Sequence, residues 1–134
     1  MLKKLLRNVN LISYYKTKQI KMQNEFIPYQ QALELKELGF DEPCLGKFYY
    51  NHLEIGGNWR NDDFKEDPDI FISAPLYQQV FRWFREKYGV YFHQKKFDEN
   101  KWWVEWGEWR SPVFETYDEL ELECVKKLIE IAKL

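Results

Sequence analysis

The fold class is decided by residues 75–109, PLYQQVFRWFREKYGVYFHQKKFDENKWWVEWGEW, where a helical pattern gives way to an extended one. Residues 75–88 open with a proline, which suits a first helical turn, and carry an apolar side chain at every fourth position. Gly89 is suited to the left-handed conformation that ends many helices. Beyond it, residues 90–97 and 101–109 are rich in aromatic side chains and are separated by a polar turn. The stretch therefore predicts a helix followed by a β-hairpin.

The same order of elements precedes this stretch. Residues 28–38 form a predicted helix, bracketed by Pro28 at its start and Gly39 after its end. Phe40 then falls where this type of helix ending places an apolar contact back onto Leu35.

A first hairpin is predicted from short apolar runs at residues 45–50 and 53–55, which are parted by Asn51 and His52. Residues 56–58, two glycines and an asparagine, are expected to end the pairing. Residues 61–69 hold five acidic residues without periodicity, and their spacing does not match a calcium-binding loop. They predict a solvated loop.

A third helix is predicted near the end of the chain. Thr116 followed by Glu119 is a capping box, because the threonine oxygen accepts from a free amide of the first turn. The helix should therefore begin at Tyr117, and Asp118, Glu119 and Glu121 near its start are favourably placed against the helix dipole. Its apolar face comprises Tyr117, Leu120, Cys124, Leu128 and Ile131.

Together these elements predict the α+β class, in the order helix, hairpin, helix, hairpin, helix. We expect the two hairpins to form one antiparallel sheet, with the three helices on one of its faces and the aromatic side chains at the junction. A chain of 134 residues suits one hydrophobic core, so a single domain is predicted over residues 22–134.

Composition and cysteine usage are typical of an intracellular globular protein. Hydrophobic residues make up 45% of the chain, yet the apolar runs are too short to cross a membrane. The only cysteines, Cys44 and Cys124, stand outside any CxxC or Cys/His cluster, so neither a disulfide framework nor a zinc site is predicted. We therefore expect a cytoplasmic protein that uses no metal and no cofactor.

Residues 1–21 differ from the rest of the chain in charge. They hold six basic residues and no acid, whereas residues 22–134 carry a net charge of −8. Apolar residues at helical spacing leave three interpretations open: a basic amphipathic helix on an anionic surface or partner, an export or organelle signal, and an extension upstream of a domain that starts at Met22. The last is favoured, because the first clear helix signal follows Met22. Such an amphipathic or disordered extension should be dispensable for folding.

The sequence contains no signature of catalysis. Phosphate-binding, dinucleotide-binding, metalloprotease and hydrolase motifs are all absent from the chain. His52 falls in a predicted turn and His93 in a predicted strand, and nothing in the sequence places either beside a cysteine. A Cys/His nucleophile pair is the alternative to a core role for both cysteines. No catalytic residue is assigned, and enzymatic activity is disfavoured without being excluded.

The candidate binding surface is the second hairpin. Alternation along residues 101–109 places Trp103 and Trp109 together on one face, opposite a plainly apolar face. Exposed tryptophan often marks a partner-binding or base-stacking surface, and burial under the third helix or the acidic loop is the alternative. Arg82 and Arg85 lie off the apolar stripe of the second helix, where they form a candidate basic patch or are simply solvated.

Three blocks, residues 26–44, 73–88 and 114–130, resemble a family of small uncharacterised proteins encoded by bacterial viruses and prophages. The resemblance covers residues 25–134 and leaves out the basic N-terminal segment. The matching blocks are helix starts, helix ends and apolar stripes, so the resemblance implies a shared fold and implies no activity.

Three functions follow as hypotheses. The first is a non-enzymatic accessory protein of a bacterial virus that binds a host or viral protein in the bacterial cytoplasm. The second is a protein that binds a nucleotide or a short single strand, with bases stacked on Trp103 and Trp109 and phosphate near Arg82 or Arg85. The acidic body weakens this hypothesis, because it repels a phosphate backbone. The third is a small enzyme with an unrecognised site around His52 or His93.

Overall fold

A computed structural model describes residues 22–99 and 101–134, together with Leu11 and Ser13; the side chains of Phe97 and Asp98 are left out. The expectations for residues 1–21 therefore lie outside the described residues, apart from two exposed helical positions. In chain order the elements are α1 (Tyr29–Glu37), β1 (Cys44–Tyr49), β2 (His52–Trp59), a short 3₁₀ helix (Asn61–Phe64), β3 (Phe71–Ala74), α2 (Tyr77–Tyr88), β4 (His93–Asp98), β5 (Lys101–Trp106), β6 (Trp109–Arg110) and α3 (Tyr117–Ala132). None of the helices in this part of the chain is both long and apolar enough to span a membrane.

The helix ends lie where the sequence predicts them. Gly39 adopts a φ of 91°, and the amide of Phe40 donates to the carbonyl of Leu35 at 2.9 Å, which is the predicted ending of α1. Gly89 ends α2 with a φ of 68°. At the start of α3 the Thr116 hydroxyl accepts from the amide of Glu119 at 3.2 Å. Local residue chemistry thus determines all three boundaries.

The structure confirms the α+β class, the three helices and both hairpins, but the strands form two sheets instead of one. Sheet 1 has the order β2-β1-β3 and sheet 2 has the order β4-β5-β6, and both are antiparallel. The prediction of one shared sheet is wrong because β3 occupies the free side of β1. Residues 109–114 likewise occupy the free side of β5, through β6 and a bridge from Trp102 to Phe114.

The predicted acidic loop contains structure that stabilises sheet 1. Its first turn is the 3₁₀ helix, in which Phe64 is buried. The Asn61 side chain donates to the carbonyl of Phe40 at 2.9 Å and accepts from the amide of Ser73 at 2.9 Å. This segment therefore connects the end of α1 to the outer edge of β3. Apart from Asn61 and Phe64, residues 61–69 are exposed, as predicted.

The first hairpin turns at Tyr50 and Asn51, one residue earlier than predicted, and β2 continues through both glycines. A register shift lies opposite them, and Gly56 and Gly57 have φ angles of 122° and 91°. The indole of Trp59 folds back over this bulge and donates to the carbonyl of Gly56 at 2.9 Å. The glycines therefore bend the strand without ending it.

Replacing Gly57 by alanine should destabilise the protein by about 1–2 kcal/mol more than replacing Gly56. Both glycines have positive φ, but a β-carbon at Gly57 would overlap the Trp59 indole, whereas one at Gly56 meets nothing within 4 Å. Chemical denaturation of the two variants measures the difference. Equal losses of stability would show that the Trp59 contact contributes nothing.

Two hydrophobic clusters hold the layers together. The larger one joins the three helices to the inner face of sheet 1, and the smaller one joins sheet 2 to α3 through Val104, Leu120 and Cys124. Phe81 and Phe92 pack against both clusters. Helix α3 thus contributes side chains to each core.

Candidate functional site

The two tryptophans of the predicted binding surface lie on opposite faces of sheet 2. Residues 107 and 108 form a two-residue turn, so Trp106 pairs directly with Trp109 and Glu105 pairs with Arg110. Directly paired residues share a face, which places Trp109 with Trp106 and not with Trp103. The prediction of one shared face is therefore wrong, because it treated a hairpin as one continuous strand.

Each of the two indoles is half-buried against a different neighbour. On the outer face, Trp103 donates to Glu105 at 3.1 Å, and the guanidinium of Arg110 lies 5.4 Å from its ring centre. Arg110 also donates to Glu105, at 2.9 Å, and the hydrogen bonds from Trp103 and Arg110 lower the pKa of Glu105. On the inner face, Trp109 packs 5.6 Å from the ring of Phe92. The tryptophans therefore do not form one stacking platform.

The two arginines also contact different neighbours. Arg82 lies 3.8 Å from Glu42, in the segment before β1. Arg85 lines a small cavity of about 190 Å³ whose other lining includes Phe81, Tyr91 and Phe92. Arg85 therefore has a neighbour, Phe92, in common with Trp109, whereas Trp103 lies on the other face of sheet 2 and Arg82 lies beside Glu42.

The cysteines are core residues in the structure. Both are buried, and burial raises the pKa of Cys44 to about 11 and that of Cys124 to about 12, so both remain thiols at neutral pH. His52 and His93 are exposed and line different cavities. Among the described side chains, no three His, Cys, Asp or Glu residues are grouped closely enough to hold a metal ion.

One cavity lies between the first hairpin, the segment before α1 and the start of α3. It measures about 580 Å³, and its floor is formed by apolar side chains that include Phe48, Leu53 and Leu122. Asp118 and Glu119, in the first turn of α3, supply negative charge at its rim, and His52 lines it from β2. We call this space the hairpin cleft.

The edge of sheet 1 borders the hairpin cleft. Strand β2 is the outermost strand, and within the described residues its second side is paired with no strand. The turn of two residues makes Tyr49 and His52 a hydrogen-bonded pair. The backbone groups of His52 and Glu54 therefore face β1, and those of Leu53 and Ile55 face away from the sheet.

The amide of Ser73, in β3, follows the same alternation, because it points away from β1 towards Asn61.

A second cavity, of about 370 Å³, adjoins the hairpin cleft and shares Tyr77 and Asp118 with it. Glu121 of α3 lines this space although its residue is only 7% exposed. It accepts a hydrogen bond of 3.3 Å from Gln78 of α2. Burial, followed by the charge of Asp118, raises the pKa of Glu121 to about 7. We call this space the Glu121 pocket.

Neither the burial of Glu121 nor the unpaired edge of β2 was predicted from the sequence. Glu121 was interpreted as an acid near the start of α3 that suits the helix dipole, whereas the structure buries it. A signal was present, because Glu121 lies four residues after Tyr117 and four before Val125, on the buried side of the helix. The open edge of β2 carried no signal, since it depends on which strands pair.

Family models, curated proteins and solved structures were each compared with this chain, and none of the three comparisons found a significant match.

Proposed function

We propose that this protein binds an extended segment of another protein, which adds a strand to β2 along the hairpin cleft. In keeping with the resemblance to proteins of bacterial viruses, the partner is a protein of the host cell. The observation that carries the proposal is the outer edge of β2, which pairs with no other strand among the residues that the structure describes, beside a cavity of about 580 Å³.

The backbone of β2 supplies what strand addition needs. The amide and carbonyl groups of Leu53 and Ile55 face away from β1 and can bond to a neighbouring strand. Edge strands are commonly protected by charge, proline or strong twist. From His52 to Ile55 the strand carries one acidic side chain and no proline, and its bulge comes only at the two glycines. About four residues of edge are therefore suitable for pairing.

The cavity supplies side-chain selectivity. Leu53 is paired with Phe48, whose side chain belongs to the core, so their side of the sheet faces the hairpin cleft. Alternate side chains of an added strand would lie on that same side. Apolar residues at every second position of the bound segment would contact Leu53 and Leu122.

The nucleotide-binding alternative has less support from the geometry. A stacked single strand needs aromatic faces that follow one another along one surface. Trp103 and Trp109 lie on opposite faces of sheet 2, and Arg110 lies over the ring of Trp103.

Binding of such a segment should protect two specific amides from hydrogen exchange. Peptides are selected from a displayed library of random twelve-residue sequences with the full-length chain as bait, and exchange is followed by NMR. The amides of Leu53 and Ile55 should slow by about tenfold or more at saturation, because they become hydrogen-bonded. Glu54, which already faces β1, and Ser73, which already donates to Asn61, serve as internal controls. Protection confined to sheet 2, or no selected peptide at all, would refute the proposal.

A further inference from the structure

Within the described residues, no basic side chain of the lining balances the charge of the Glu121 pocket. Its lining contains three acids, Glu25, Asp118 and Glu121, and no lysine or arginine. The cross-element ion pairs of the described residues use other acids, such as Glu42 with Arg82 and Glu34 with Lys133. In the part of the chain that the structure describes, the pocket therefore presents an uncompensated negative potential.

Glu121 is buried in this pocket, and this burial also favours a positively charged ligand. A carboxylate removed from water is normally paired with a cation or bound by several donors. Glu121 receives one hydrogen bond, at 3.3 Å, from the uncharged side chain of Gln78, and its nearest charged neighbours are acids. A positive group in the pocket would replace the lost hydration.

The aromatic walls favour an organic cation on a flexible stem. Tyr77 and Tyr117 line the pocket beside Leu76, and these side chains can contact the methylenes of a lysine or arginine. An ammonium or guanidinium at the end of that stem would lie near both ring faces and carboxylates. The volume of about 370 Å³ is sufficient for one such side chain.

We propose that the Glu121 pocket binds a lysine or arginine side chain of the segment that pairs with β2. The inference rests on the proposed function, because Tyr77 and Asp118 belong to both the pocket and the hairpin cleft. It specifies the partner as a basic segment in which one cationic residue stands beside alternating apolar residues. The acidic body, with its net charge of −8 over residues 22–134, attracts such a segment.

The test uses the peptides selected with the full-length chain. Selected sequences should share a lysine or arginine at a fixed distance from the apolar positions. Glu121→Gln should weaken their binding by about tenfold or more, since it removes the charge that faces the cation in a desolvated pocket. Replacing the basic residue of the peptide by norleucine should weaken binding to the wild-type protein and have little further effect with Glu121→Gln.

Glu123→Gln is the matched control, because Glu123 lies on the same helix but pairs with Lys126 at 3.5 Å outside the pocket. It should change the affinity by less than about threefold. Peptides that protect Leu53 and Ile55 but lack a fixed basic residue, or that bind Glu121→Gln as tightly as the wild type, would overturn this inference and leave the proposed function standing. Failure of every peptide to protect those two amides would overturn both.

Discussion

Replacing Phe40 by alanine is expected to lower the free energy of unfolding by about 3–5 kcal/mol, the largest loss among the substitutions proposed. Phe40 is 1% exposed and its ring meets that of Trp83 edge to face at 5.4 Å. It also follows the glycine that ends α1, so its removal leaves a cavity where α1, α2 and the 3₁₀ segment meet. Thermal unfolding should show a decrease of roughly 10–20 °C for a chain of this size.

Tyr91→Ala provides the control for this substitution. Tyr91 is 54% exposed and contacts His93 ring to ring at 5.4 Å, so its truncation should change stability by less than about 1 kcal/mol. A loss below about 1.5 kcal/mol for Phe40→Ala would show that the core closes around the vacancy, and that Phe40 is less important to the packing than its burial indicates.

Phe40 also illustrates that helix boundaries can be predicted from the sequence. Its role was predicted because the left-handed glycine and the apolar contact that follows it are set by residues five positions apart. The same holds for Thr116 at the start of α3. Boundaries of this kind depend on local chemistry, which a single sequence contains.

Strand pairing was less predictable, because it is decided by distant segments. Strand β3 has only four residues, three of which are apolar, and nothing near it in the chain indicates that it pairs with β1. A tight turn after Trp106 likewise reverses the expected face of Trp109. One unrecognised strand and one unrecognised turn were therefore enough to separate the predicted sheet and the predicted tryptophan surface.

The candidate site was not predicted, partly because it too depends on strand pairing and partly because the role of Glu121 was not recognised. The edge of β2 is defined by what does not pair with it, and Glu121 was interpreted as an ordinary acid near a helix start. A charged residue on the buried side of an amphipathic helix is unfavourable for folding, and such local conflicts between sequence and fold concentrate at functional positions. Glu121 is such a conflict, because its neighbours at four-residue spacing, Tyr117 and Val125, belong to the apolar side of α3.

Glu121→Gln should therefore stabilise the unliganded protein at pH 8, by about 1–3 kcal/mol. At that pH the wild-type carboxyl is ionised in a desolvated position, whereas glutamine is neutral and can still accept the hydrogen bond from Gln78. The expected rise in melting temperature is roughly 3–10 °C. A variant that is more stable and yet binds basic segments less tightly cannot be explained by misfolding. Glu123→Gln, which removes a partly exposed acid paired with Lys126, should show no such stabilisation.

The pH dependence of stability tests whether ionisation of Glu121 is the reason why Glu121→Gln stabilises the protein. Because the pKa of Glu121 is raised from 4.5 to about 7, the folded state holds this proton more tightly than the unfolded state does. The wild-type protein should therefore lose stability as the pH rises from about 4.5 to 7, and the gain from Glu121→Gln should grow over the same interval. The charged groups facing Glu121 are Asp118 on its own helix and Glu25 from the segment before α1, and both remain in the variant. Melting curves of both proteins at pH 5 and pH 8 measure the effect. An equal difference at the two pH values would show that Glu121 does not ionise in this range, and that its substitution acts through packing alone.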